Sequence, residues 1–225
     1  MKTLHLVCAV NLCLLLALMA HAQPSAPQGG GAARRPGGIG MGPRARATSA
    51  TLLLAPADWR FETMPLPPRF APGVKFTGVE EARFAPGMFD TTATNYFTYV
   101  LALSVEGTEN VDAAGMKDFL ETYYRGLLGG LGQRKGLTVD PAQIKAEIAA
   151  AQPQDKSRSR YQGKVAIIDT FSDGRKTSLN VEADVLPQPA LKKTCIILLL
   201  SPQPQDSDTW KNLRAIRDKI NFEGR

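Results

Sequence analysis

Carboxylates, tyrosines, arginines and one cysteine are the residues in this sequence that could do chemistry. Glu80 and Glu81 are adjacent. On a strand they would point to opposite faces and could not act as a pair. Asp169 interrupts an apolar alternation formed by Tyr161, Val165, Ile167 and Phe171. It is either a buried acid or the end of a hairpin strand, and its closeness to Asp173-Gly174 favours the strand end. Asp90 with Thr91 and Thr92 reads as a turn. Two carboxylates distant in sequence could still converge, as a glycan hydrolase requires. Tyr123-Tyr124-Arg125 is the other group of interest. Tyr124 falls off the apolar stripe of its helix, so the spacing places it in solvent beside Arg125. Together with Trp59 it offers aromatic faces and a guanidinium for a sugar or an anionic ligand, against the plainer reading of a tyrosine at a sheet edge. Cys195 lies in the most apolar stretch of the chain, Cys195-Ile196-Ile197-Leu198-Leu199-Leu200. Burial there raises a thiol pKa and makes it inert.

Other chemistries are excluded by where the remaining reactive residues fall. Lys2, the apolar run from Leu4 to Ala20, and Ala20-His21-Ala22 form the pattern of an export signal cleaved after residue 22. Both histidines, His5 and His21, lie in that segment, as do Cys8 and Cys13. Residues 23–225 therefore hold one cysteine and no histidine. That removes Ser-His and Cys-His nucleophiles, a histidine general base, histidine-ligated zinc and an internal disulfide. No acidic cluster has calcium-loop spacing. Gly129-Gly130-Leu131-Gly132-Gln133-Arg134-Lys135-Gly136 is glycine-rich, but it lacks the Gly-Lys-Ser/Thr ending of a phosphate loop and follows a helix instead of a strand.

The formal charge of +6 is unevenly distributed. Residues 23–51 carry Arg34, Arg35, Arg44 and Arg46 with no acid, among Gly, Pro and Ala, and read as a disordered linker. The rest is nearly neutral, which argues against a nucleic-acid-binding face. The linker arginines suggest a spacer, or loose contact with a polyanion.

The elements that must position these groups lie in residues 52–225, read as one α+β domain. Expected are a mostly antiparallel sheet of about five strands, with a long amphipathic helix and a C-terminal helix packed over one face. Trp59 to Glu62, Val74 to Phe84 and Asn95 to Glu106 are strand candidates. The motif Arg69-Phe70-Ala71-Pro72-Gly73 recurs as Arg83-Phe84-Ala85-Pro86-Gly87. It predicts two type II turns, with Phe inward and Arg in water, or else a doubled binding loop. Met116, Phe119, Leu120, Tyr123, Leu127 and Leu128 give one helical stripe, which the glycines from Gly126 onward should end. Asp140-Pro141-Ala142-Gln143 predicts the start of a peripheral helix carrying Ile144 and Ile148. Tyr161 to Phe171 and Thr177 to Leu186 form a hairpin. A three-residue loop would place Ile167 opposite Leu179 and Val165 opposite Val181, with Ser178, Asn180, Glu182 and Asp184 in water. The run from Cys195 to Leu200 lacks polar alternation, so it should be a central strand covered on both faces. Its second cover should come from the Pro-rich N-terminal segment. Thr209 to Phe222 should be a helix with Trp210, Leu213, Ile216 and Ile220 inward.

These readings lead to a periplasmic or extracellular, non-enzymatic domain. It would bind an envelope protein or a small ligand, need no cofactor or metal, and have no transmembrane span after signal cleavage. The alternative is a carboxylate- or Tyr/Arg-based enzyme such as a glycan hydrolase.

Overall fold

A computed structural model describes residues 51–107, 111–151 and 157–220. The expected signal, residues 1–22, and residues 23–50 of the expected linker lie outside them. Seven antiparallel strands form one sheet. They are β1 (Arg60–Leu66), β2 (Gly78–Phe84), β3 (Tyr99–Glu106), β4 (Lys145–Ala151), β5 (Ser159–Ile168), β6 (Lys176–Gln188) and β7 (Lys193–Ser201), in the order β1-β2-β3-β7-β6-β5-β4. Helix α1 (Ala113–Arg134) lies on one face and α2 (Asp208–Arg217) on the other. The α+β class is as expected, with seven strands instead of about five and helices on both faces instead of one.

The apolar run explains this three-layer arrangement. β7 is buried from Thr194 to Ser201, and β3 from Tyr99 to Val105. Side chains alternate across a strand, so each of these central strands needs two apolar covers. Ile196, Leu198 and Leu200 join Leu101, Leu103 and the α1 residues Met116, Leu120 and Leu128 in the larger core. Cys195, Ile197 and Leu199 join Val100, Ala102, Trp210, Leu213 and Ile216 in the smaller one, closed by Leu52 and Leu53. The expected cover for the second face was the Pro-rich segment. That segment instead lies on the α1 face, where Phe70, Ala71, Val74 and Phe76 pack.

Local propensity loses to packing at two further places. Helix α1 does not stop at its glycines but runs on to Arg134. Gly126 is there because the chain at Phe70 and Ala71 crosses so closely that a Cβ would lie 2.1 Å from the Phe70 carbonyl oxygen. The Asp140 cap forms as expected, accepting from the Ala142 N–H at 2.9 Å. It opens only a 3-10 turn, Pro141–Gln143, and the expected helix is strand β4. Pairing with β5 along seven residues supplies hydrogen bonds that a thinly apolar helix could not match by burial.

The β5–β6 hairpin keeps the expected faces but not the register. Val165 lies opposite Leu179 and Ile167 opposite Thr177. The loop is longer because Asp169 organises it: the Asp169 N–H donates to Arg175 O at 2.8 Å, and the Gly174 N–H to Asp169 O at 2.7 Å. Asn180, Glu182 and Asp184 do not face open water. Asp184 is buried beside Arg158, Arg160 and Arg217, and Glu182 pairs with Arg214 at 2.6 Å and Arg217 at 3.2 Å. The last turn of α2 thus docks on the polar end of β6. Neither Gly73 nor Gly87 has positive φ, so the repeated turns are not type II. They are alike nonetheless, closed by Val74 N–H to Ala71 O at 3.1 Å and Met88 N–H to Ala85 O at 3.0 Å.

Candidate functional site

On the α1 face, the strand register sets out three rows. Arg60, Phe84 and Tyr99 lie side by side, then Glu62, Ala82 and Leu101, then Met64, Glu80 and Leu103. Ala82 is the small residue in the middle. Above it pass Tyr123, Tyr124, Leu127 and Leu131 of α1, and the space left between helix and sheet is a cavity of about 40 Å³. Met88 and Phe89 close one side and Phe171, from the β5–β6 loop, another. Arg134 and Glu62 provide its charged lining. Both phenylalanines of the repeated motif, Phe70 and Phe84, line the cavity, so the inward reading of the repeat holds while giving it a place at the site. Arg83 does not sit free in water. It donates to Leu53 O at 3.1 Å and lies 4.1 Å over the Phe61 ring.

The aromatic walls are built from several parts of the chain. Phe70 meets Tyr123 edge to face with centroids 5.0 Å apart, Phe89 lies 5.6 Å from Phe171, and Phe97 lies 5.8 Å from Phe171. Phe97 adopts a φ of +47°, a conformation that costs a bulky residue energy. Its N–H donates to Met88 O at 3.0 Å, which pins the two segments that face the cavity. Phe171 is held from behind: its N–H donates to Asp169 Oδ1 at 2.9 Å, and Lys135 Nζ donates to its carbonyl at 2.7 Å.

The two acids of β2 are buried but lie outside the cavity lining. Glu80 and Glu81 do point to opposite faces, as adjacent strand residues must, but both are buried. The Tyr123 hydroxyl donates to Glu80 Oε1 at 2.8 Å, while Glu80 Oε2 has no hydrogen-bond partner among the described residues. Burial pushes the Glu80 carboxyl up to about 7, opposed by the Tyr123 hydrogen bond and aided by the nearby Glu62. Burial also raises Glu62, and Arg60, paired with it at 3.2 Å, lowers it. The Arg60 guanidinium lies 5.2 Å from both the Phe84 and Phe89 ring centroids. Tyr124 and Tyr99 share a short hydroxyl–hydroxyl contact, and burial raises the Tyr124 pKa well above its usual value.

The three residues singled out as a ligand site do not come together. Tyr124 is buried, not exposed, and lines the cavity. The helix turns it inward because α1 is flanked by the sheet and by the Pro-rich segment, so more than one stripe is covered. Arg125 works elsewhere. It donates to Pro141 O and Ile144 O at 3.2 Å and to Glu121, whose other oxygen accepts from Ala146 N–H at 3.0 Å. The pair clasps edge strand β4 to α1. Trp59 packs against the smaller core, on the opposite side of the sheet. Sequence reasoning missed Glu62 and the burial of Glu80. The available signal was parity: if Phe84 is inward on its strand, Glu80 is too.

No family model and no curated protein matches this chain. Among solved structures it is similar to the Ran-binding protein Mog1p of Saccharomyces cerevisiae, at 11% identity over 72% of this chain and 95% of that one, with a TM-score of 0.30. A likeness at that level assigns no activity. Among the described residues, no group of three His, Cys, Asp or Glu side chains could hold a metal ion, and no helix is long and apolar enough to cross a membrane.

Proposed function

We propose that this protein is an exported, non-enzymatic domain that binds a small ligand by taking an apolar group into the cavity between α1 and β1–β3. The observation that carries this reading is the cavity itself: a mostly aromatic enclosure assembled from six separate stretches of chain, the usual character of a small-molecule site. Export rests on the sequence pattern of residues 1–22. At about 40 Å³ the cavity admits a small group first, and the half-buried Phe89 and Leu127 must shift for more.

Calorimetric titration with short-chain amphiphiles tests the reading. Leu127→Trp, which fills the mouth, should abolish binding while leaving the circular dichroism spectrum unchanged. Undiminished binding by that variant would place the ligand elsewhere. Cell fractionation should find a mature chain starting at Gln23.

One observation favours a second reading. Glu62 and Glu80 lie on the same face with both pKa values raised, the kind of pairing from which an acid–base enzyme is built. Turnover of glycosides that is lost in Glu62→Gln would establish it. Against it, Glu80 is fully buried and its one hydrogen bond comes from an equally buried tyrosine. The arginine-bearing linker as a polyanion contact is a third possibility. Salt-sensitive envelope binding that disappears on deleting residues 23–50 would support it.

A further inference from the structure

We propose that the ligand of the cavity is an anionic amphiphile of the medium-chain carboxylate class, its head held by Arg134 and its chain by the aromatic walls. This rests on the reading of the cavity as a binding site and names its ligand class.

Helix α1 gives the cavity a direction. Its lining residues Tyr124, Leu127, Leu131 and Arg134 recur at three- and four-residue spacing, so they form one stripe along the helix. The stripe begins at buried Tyr124, with Tyr123 beside it, and ends at exposed Arg134 in the last turn. From Tyr124 to Arg134 the helix rises about 15 Å. An extended hydrocarbon chain ending in one polar head has that shape.

The lining leaves one charge uncommitted. The Tyr123 hydroxyl donates to Glu80, the Tyr99 and Tyr124 hydroxyls contact each other, and Glu62 is paired with Arg60 at 3.2 Å. Arg134 has no hydrogen bond or ion pair among the described residues. It lines the cavity yet is exposed, as an arginine is when its hydrocarbon stem lies on apolar surface and its head stays in water. Lys135, also exposed, donates to the carbonyl of the lining residue Phe171 at 2.7 Å and brings a second cation to that end. The one lining acid is at the other end. Glu62 lies near Tyr123, whose proton it helps retain, and Tyr123 is roughly three helical turns from Arg134. A carboxylate entering at Arg134 therefore meets cations and stays away from the acid. The guanidinium fork can take it through two parallel hydrogen bonds. A cationic head would meet Arg134 and Lys135, and a neutral head would forgo the charged pair.

Three probes of equal chain length, octanoate, octanol and octyltrimethylammonium, separate the possibilities when titrated below micellar concentrations at neutral pH and low salt. Octanoate should bind at least about fivefold more tightly than the other two. Arg134→Gln should remove that advantage and leave octanol unchanged. Lys117→Gln, which removes an equal charge from the far end of α1, should leave octanoate unchanged. Leu127→Trp should abolish binding of octanoate and octanol alike. If octanol or the cation binds as well as octanoate, or Arg134→Gln changes nothing, the carboxylate assignment is overturned and the cavity remains a general apolar site. If none of the three binds, the cavity reading falls with it. Octanoate binding that survives Leu127→Trp lies outside the cavity and also overturns the proposal.

Discussion

The Tyr123 hydroxyl donates a 2.8 Å hydrogen bond to Glu80 Oε1 across the interface between α1 and the sheet, and both residues are buried. The pair couples titration to folding. Glu80 is pushed up to about 7 in the folded protein against an ordinary 4.5. Between those values the folded state holds a proton that the unfolded state has released, so stability falls as pH rises from about 4.5 to about 7 and then levels off. The raised Glu62 acts in the same direction, tempered by Arg60. Urea denaturation at pH 5 and pH 8 should show the folded state less stable at pH 8, by on the order of 3 kcal/mol. Glu80→Gln keeps an oxygen for Tyr123 and should remove most of that difference.

The glycines of α1 divide into two kinds. A Cβ at Gly126 would lie 2.1 Å from the Phe70 carbonyl oxygen, whereas one at Gly130 meets nothing within 4 Å. Gly126→Ala should cost about 2–4 kcal/mol, because neither helix nor crossing segment can yield without loosening the core. Gly130→Ala should stabilise by about 0.5–1 kcal/mol through helix propensity alone. Paired thermal or urea melts of the two variants check both signs.

Glu81 fastens the start of the domain. Its Oε2 accepts from the N–H groups of Leu52 at 2.8 Å and Leu53 at 3.3 Å, and from the Thr51 hydroxyl at 3.1 Å. Leu52 and Leu53 cover the α2 face of β3 and β7 through that attachment. Glu81→Ala should destabilise by about 2–4 kcal/mol and speed hydrogen exchange in β3 and β7. Glu81→Gln, which keeps one acceptor, should fall in between.

Asp169 positions one wall of the cavity. It accepts from the Phe171 N–H at 2.9 Å, the Ser172 N–H at 3.2 Å, and the hydroxyls of Tyr96 and Ser172. Burial of Tyr96, together with its hydrogen bond to Asp169, pushes the tyrosine up to about 12. Asp169→Ala should lower stability by about 3 kcal/mol and weaken ligand binding by freeing Phe171. Asp169→Asn should lose much less, since the Tyr96 and Ser172 hydroxyls can turn to accept from the new amide. Calorimetric affinity and melting temperature, measured together, separate the two variants.

Cys195 is buried in the smaller core between Trp210 and the sheet. A colourless thiol reagent such as iodoacetamide should leave it unmodified for hours in buffer and label it within minutes in urea, read by mass spectrometry. Rapid labelling of the native protein would mean that the α2 layer opens readily.

The sequence alone determined what depends on local pattern. An unbroken apolar run from Cys195 to Leu200 has to be covered on both faces, and it is. Alternation identified the inward faces of β3, β5 and β6, and 3.6-residue periodicity identified α1 and the Trp210 helix. These survive because burial parity belongs to the strand or helix itself. Tertiary structure decided whatever depends on a neighbour. The glycines of α1 read as a stop signal until the chain at Phe70 is seen lying against Gly126. The capped start at Asp140 reads as a helix until β5 offers an edge. Glu80 and Glu81 read as a harmless pair, and parity did send them to opposite faces. Only the α1 layer on one face and Leu52–Leu53 on the other bury both. Tyr124, Arg125 and Trp59 looked like one site and occupy three places. The cavity could not be read from any one segment, because its walls come from β1, β2, β3, α1 and three loops that long-range packing alone brings together.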